Sequence, residues 1–427
     1  MTTYYNSRLL SIYKNDDYKY YNQYLEDLFT LPGELKQVKI NNTKKININT
    51  NINSYHFTET NNNYNIMSKL SKLQFNIFID LLNQNIDVRE TAFNVSKILS
   101  KYSTNLPTYL YEKKLVKYPI SNRFIETYEI LHEFPELTNS QNSINAYHGA
   151  ELPGDLIIAL TMFSKKNNIK YKWLASGLKP DNEKNFLKYG YNEKNIHTDK
   201  YKLINKHFLW GKDKTGDINN INNLKWYQEY LQKKKLNLIT CNFEYSGELY
   251  TMQKVDISQL IHVLTTSQLN SSALSSIWIP YIEKYPESFY SSGFYMNIIY
   301  TYTQYFEHIY LVKTSVTHLQ STKIYIIGIN FKGISKKEIN NFYNVYKKYN
   351  YNKCWYQKKD MDTKTTKSIL KFMNNIYNDN IIHTKIKILV LYCYLNSNIK
   401  INCKKYTDTK TINKYHKLFD KWINKYL

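Results

Sequence analysis

The chain has 427 residues and carries 58 basic against 35 acidic side chains, a formal charge of +23. That length accommodates a sizeable core and more than one structural unit, and the charge suits a polyanionic partner such as nucleic acid. Arginine supplies three of the basic residues (Arg8, Arg89 and Arg123) and lysine the rest, so the bidentate fork that reads phosphate is scarce. The excess of Lys, Asn, Ile and Tyr fits either a selected binding footprint or the codon bias of an AT-rich genome. Four cysteines (Cys241, Cys354, Cys393 and Cys403) lack Cys-x-x-Cys pairing and zinc-like spacing with histidine, which argues against structural zinc and a disulfide framework and for a reducing compartment. The N-terminus MTTYYNSRLL is no secretory signal and no apolar run approaches ~18 residues, so a soluble cytoplasmic protein without a membrane span is expected.

Residues 1–112 read as an N-terminal accessory region. An Asn-rich stretch at about 40–65 buries little and reads as a loop. The segment from Met67, MSKLSKLQFNIFIDLLNQ, has the i, i+3, i+4, i+7 apolar spacing of a helix. From about 113 to 335 the pattern becomes α/β. Short apolar runs from Lys170, Leu236, Ser275, His308 and Lys323 read as strands. Helical periodicity lies between several of them, as in NLKWYQEYLQKK and VDISQLIHVLTTSQL. This alternation predicts a mostly parallel sheet with helices on both faces, ending in an antiparallel strand pair. Residues 336–427 read as a helical appendage through KSILKFMNNIY and INKYHKLFDKWINKYL.

The most informative stretch is His148 to Ile157, where a buried strand breaks over Glu151-Leu152-Pro153-Gly154 into a helix. Such a break gathers free backbone N–H groups and a positive dipole end at one point, where α/β folds hold the charged part of a ligand. Taken alone, Glu151 reads first as a helix-capping neighbour, Asp217 as a turn residue after glycine, and His148 as a packed strand residue. Tyr-rich stretches such as Tyr18–Tyr21 and Tyr346–Tyr351 suit either base stacking or core packing.

Several pieces in order resemble the FtsJ-like RNA 2′-O-methyltransferases, especially cap methyltransferases and their relatives in large cytoplasmic DNA viruses. They are NRFIETYEIL (Asn122–Leu131), Glu151-Leu152-Pro153-Gly154, Trp173–Leu178 with Pro180, Thr215-Gly216-Asp217-Ile218 with Asn220-Ile221, Leu238–Phe243, and Lys313–Gly328. The resemblance implies a Rossmann-like S-adenosylmethionine methyltransferase fold over 113–335, with the cofactor at the C-terminal edge of the sheet. Glu151 would face its methionine or ribose end, the N–H groups after Pro153 its carboxylate, and Asp217 its adenine amino group. Asp155 replaces the family's second loop glycine and would repel the cofactor carboxylate, partly offset by the helix N-terminus.

The family removes the ribose proton with a Lys-Asp-Lys-Glu tetrad, whose central lysine has a lowered pKa. By motif the four positions fall on Glu126, Asn242, Pro280 and Lys323, each with its charge lost or reversed. A register shifted by a few residues would offer Glu244 and Lys284 instead. Glu126 and Lys323 either pair in the vacated pocket or stand as solvated surface charges. The sequence thus leads to a non-catalytic methyltransferase-fold subunit of a viral mRNA capping or transcription apparatus, with capped RNA and a protein as partners, in the host cytoplasm or virion. The alternatives are an active 2′-O-methyltransferase with a rearranged site and a basic RNA-binding scaffold without cofactor. No metal is expected.

Overall fold

The computed structural model describes residues 35–41, 45–48, individual positions between 65 and 83, 101–138, 143–180, 182, 207–243, 249–279, 292–317, 321–350, 353–396 and 409–427. Eight strands among them form one sheet: β1 (Lys36–Asn41), β2 (Ser143–Gly149), β3 (Lys170–Ser176), β4 (Phe208–Leu209), β5 (Leu238–Cys241), β6 (Ser272–Trp278), β7 (Phe306–Lys313) and β8 (Lys323–Phe331). Their order is β1-β7-β8-β6-β5-β2-β3-β4. The β4-β3-β2-β5-β6 block is parallel, whereas β8 runs antiparallel to both its neighbours and β1 runs antiparallel to β7. The result is a Rossmann-like α/β fold. The antiparallel pair expected from the last two apolar runs is present, but β8 inserts between β6 and β7 and β1 takes the edge.

The two-residue side-chain period of the strands divides the core in two. On one side Tyr147, Ile239, Cys241, Ile309, Leu311, Ile324 and Ile326 pack under α4 (Ile221–Leu231), α5 (Leu249–Thr266), α6 (Ser292–Tyr305), α7 (Lys336–Lys348) and the first turns of α8 (Thr363–Asn396). On the other, Ile144, Ala146, Leu238, Val312, Tyr325 and Ile327 pack under α1 (Lys101–Glu112), α2 (Asn122–Glu133), α3 (Asp155–Lys166) and α9 (Thr409–Tyr426). Both flanking regions therefore contribute to the same two cores as the central segment. The described positions between 65 and 83 are helical, and Leu70 and Leu73 pack on the second core.

β1 carries N-terminal residues onto the sheet edge. Its Lys36 Nζ lies 2.5 Å from Asp379 Oδ1 on α8, and the buried Lys313 at the end of β7 lies 3.6 Å from Oδ2. Burial lowers the Lys313 pKa to about 8, against the opposing pull of Asp379.

Candidate functional site

Chain order reverses between β2 and β5: β2, β3 and β4 run to one side, β5 and β6 to the other. In open α/β sheets the crevice at such a switch point, beyond the carboxyl ends of the strands, is the ligand site. A cavity of about 580 Å³ lies there, within the range of small-molecule sites. Its walls come from the exits of β2 (Ala150, Leu152, Pro153), β3 (Gly177, Leu178) and β5 (Asn242, Phe243), from Trp278 at the end of β6, from the β7–β8 connection, and from the first turns of α2. A larger open depression of about 1090 Å³ lies between Lys114, Lys117 and the C-terminal end of α3. It shares no lining residue with the first cavity.

The loop after β2 is built around two helix N-termini. Glu151 N–H donates to Ser176 O at 2.8 Å, extending the β2–β3 pairing, and the Leu152–Pro153 peptide is cis. Gly154, at φ 96°, is the N-cap of α3, a left-handed backbone that glycine adopts without Cβ strain. The Glu151 carboxylate turns back on this helix: Oε1 accepts from Leu156 N–H at 2.8 Å, and Oε2 lies 3.9 Å from Arg123 Nη1. It is fully buried and acts as a charged cap at the positive end of α3. Asp155 accepts from Ser121 Oγ at 2.5 Å and from Ser121 N–H at 3.3 Å. Ser121 is itself the N-cap of α2, so Asp155 ties the two helix starts together.

Asp217 sits in a turn network. Its Oδ1 accepts from Asn219 N–H at 2.8 Å, and its carbonyl accepts from Asn223 Nδ2 at 3.0 Å. Neither Glu151 nor Asp217 lines the cavity. Leu152 and Pro153 line it, whereas the Glu151 carboxylate is turned to α3 and that of Asp217 to its own turn. The turn is held against β3 by Gly216, at φ +77°, where an added Cβ would fall 1.7 Å from Gly177 O. Replacing Gly216 with Ala should cost about 2–4 kcal/mol through left-handed strain plus overpacking. An unchanged urea midpoint would refute that close approach.

Glu126, Asn242 and Lys323 all line the cavity. The reversed charges meet as a buried ion pair: Lys323 Nζ donates to Glu126 Oε2 at 2.9 Å, with each side chain 5% exposed. Tyr325 Oη donates to the same oxygen at 2.7 Å and Thr317 Oγ1 to Oε1 at 2.8 Å. The Lys323 ammonium also lies 5.1 Å from the Tyr325 ring centroid. Asn242 follows β5 directly and is 1% exposed, and neither Oδ1 nor Nδ2 has a hydrogen-bond partner among the described residues. Pro280, Glu244 and Lys284 lie outside the described residues. The residue paired with Lys323 across β6 and β8 is Trp278; it lines the cavity, and its Nε1 is buried without a partner among the described residues.

Trp278 and Arg123 were not selected from the sequence. Nothing in the sequence sets the register that brings Trp278 opposite Lys323. Arg123 had a signal: one of the chain's three arginines falls in the piece Asn122–Leu131 that carries the resemblance. His148 is a packed strand residue: fully buried, with Nδ1 2.8 Å from Thr240 Oγ1 and Nε2 2.7 Å from Tyr171 Oη. Tyr346 and Tyr349 are buried, with hydroxyls donating to Asn219 O and Gln253 Oε1, which is core packing. Tyr18–Tyr21 and Tyr351 lie outside the described residues.

No helix among the described residues is long and apolar enough to cross a membrane. No protein-family model matches the chain. Over 327 residues, 72% of its length, the chain is 24% identical to the uncharacterized protein L511 of Acanthamoeba polyphaga mimivirus and covers 37% of that protein. The similarity thus reaches a protein of a large DNA virus, and the chain spans little more than a third of that relative's length.

Proposed function

We propose that the chain is an FtsJ-like methyltransferase-fold protein that has lost methyl transfer. It serves as a non-catalytic, RNA-binding subunit of a viral mRNA capping or transcription apparatus, in the host cytoplasm or virion, with S-adenosylmethionine binding weak or lost. The observation that carries this reading is the Glu126–Lys323 pair. Two positions matched to the catalytic tetrad by motif are occupied by opposite charges that neutralise each other inside the cavity. A third, Asn242, has no titratable group to take a proton from a ribose hydroxyl. The parallel sheet with its inserted antiparallel strand and the cavity at the switch point support the fold lineage. The basic charge supports a polyanionic partner, and the mimivirus relative supports the viral setting.

The test is calorimetric titration with S-adenosylmethionine beside a methyl-transfer assay on capped RNA. The expected result is no transfer above the protein-free control, with cofactor binding no tighter than roughly millimolar. Transfer abolished by Lys284→Ala would establish the active reading with a rearranged site instead.

A further inference from the structure

The large hydrophobic side chains exposed among the described residues are Ile79, Tyr111, Leu115, Tyr250 and Leu269. Two of these five, Tyr111 and Leu115, line the open depression of about 1090 Å³. Scattered singly, such residues are ordinary; gathered in a concavity they mark an interaction surface. Both sit where α1 ends. Leu115 N–H donates to Leu110 O and Lys114 N–H to Tyr111 O, each at 3.0 Å, with Lys114 at φ 57°. In this left-handed closure of a helix the next residue commonly packs back on the last turn. Here Leu115 stays 41% exposed and lines the depression instead.

Met162 and the buried Val116 and Tyr128 continue the apolar lining. Around them stand Lys114, Lys117, Lys165 and Lys166, against one carboxylate, Glu112. Lys166 is engaged with the main-chain oxygens of Tyr426 and Leu427 at 3.0 and 2.9 Å. No carboxylate among the described residues pairs with Lys114, Lys117 or Lys165. Lys165 and Lys166 complement the negative end of α3, but that accounts neither for Lys114 and Lys117 nor for the apolar side chains between them.

An apolar floor inside a polar rim is the anatomy of a protein interface, and a rim of one sign selects a partner of the other. Single-stranded RNA asks for open aromatic faces on which bases stack; Tyr128 is 1% exposed, which leaves Tyr111 alone. A lipid surface is met by an amphipathic helix lying in its plane, not by a concavity.

We propose that this depression docks an acidic segment of a protein partner, with its apolar side chains on Tyr111, Leu115 and Met162 and its carboxylates on Lys114, Lys117 and Lys165. This rests on the subunit reading of the chain and names the surface and the chemistry of its partner. α3 starts at the crevice and its twelve residues end here, about 18 Å on, so a partner seated here leaves the crevice open.

The experiment is selection of a phage-displayed library of random linear peptides on the full chain, with the enriched peptides resynthesised and titrated by fluorescence anisotropy. Enriched peptides should combine Asp or Glu with Leu, Ile, Phe or Trp. Leu115→Ser should weaken them about tenfold or more with every charge unchanged. Lys114→Glu/Lys117→Glu should weaken them comparably, and equal thermal midpoints would show that both variants fold. No enrichment, enrichment without an acidic bias, or affinity unchanged in either variant would each overturn the proposal. Oligouridylate bound by the wild type and lost in both variants would assign the depression to nucleic acid and overturn it as well. Methyl transfer to capped RNA would sink the non-catalytic reading whatever the peptides do, so the two failures are distinguishable.

Discussion

Lys323→Met should destabilise the chain by about 3–5 kcal/mol, because it leaves the buried Glu126 carboxylate without its cation. Tyr325 and Thr317 still donate to that carboxylate, which places the loss toward the lower end. Glu126→Gln should cost less, since an amide oxygen can still accept from the ammonium and both hydroxyls remain. The double variant Glu126→Gln/Lys323→Met should recover most of the single-variant loss, as removing both members of a buried pair is often near neutral. Urea unfolding of the four proteins gives the coupling energy directly. Additive losses would mean that the two side chains do not interact as the 2.9 Å contact requires. The swap Glu126→Lys/Lys323→Glu tests the functional reading with the same pair. It should retain much of the pairing and still transfer no methyl group, because the other two motif positions, Asn242 and Pro280, carry no titratable side chain.

The pair also marks how far the sequence reaches. Glu126 and Lys323 are 197 positions apart, and the motif spacing brings them to one cavity because each sits at a fixed place in the α/β repeat: the start of a helix and the start of the last strand. β3 and β8 begin at the residues where the apolar runs begin, Lys170 and Lys323, since an apolar and aromatic run bounded by polar residues is a clear strand signal. α6 was not. All fourteen of its residues are buried, so it has no polar stripe and no 3.6-residue contrast to detect. β1, KQVKIN, puts charged residues on an edge strand and was not read as a strand, and β4 has two residues, too short for any periodicity.

Within the cavity, residue types were legible but directions were not. Glu151 and Asp217 were singled out by the resemblance, as carboxylates in its cofactor motifs. Whether such a carboxylate faces a ligand or caps its own backbone depends on rotamer and loop path. Here Leu156 N–H and Asn219 N–H take the oxygens. Asn242 and Trp278 have the opposite character: neither residue type announces a site, and both matter because the fold leaves their polar atoms buried and facing a cavity.

His262→Gln should flatten the acid limb of the stability profile. Among the described residues, two histidines are fully buried on opposite faces of the sheet, His148 against Thr240 and Tyr171, and His262 on α5 with Nε2 2.8 Å from Tyr147 Oη. Burial holds each imidazole neutral and lowers its pKa to about 3. In the unfolded chain both titrate near 6.5, so the unfolded state binds more protons throughout the window between 6.5 and 3. The stability from each neutral histidine is fully present above about 6.5 and declines by about 1.4 kcal/mol per pH unit below it, approaching 5 kcal/mol across the window. That is a large share of a typical folding free energy. Buried carboxyls act in the other direction: desolvation raises Asp256 well above its ordinary range and raises Glu129 despite the donors on Ser315. These gain relative stability as pH falls, so the net wild-type slope mixes both signs. The difference between wild type and His262→Gln isolates the imidazole. Urea midpoints from about pH 7.5 to 4.5 should converge on acidification, with wild type losing about 1.4 kcal/mol more per unit below 6.5 than the variant. Parallel profiles would show that His262 can protonate in the folded protein, and that the Tyr147–His262 contact is open to water.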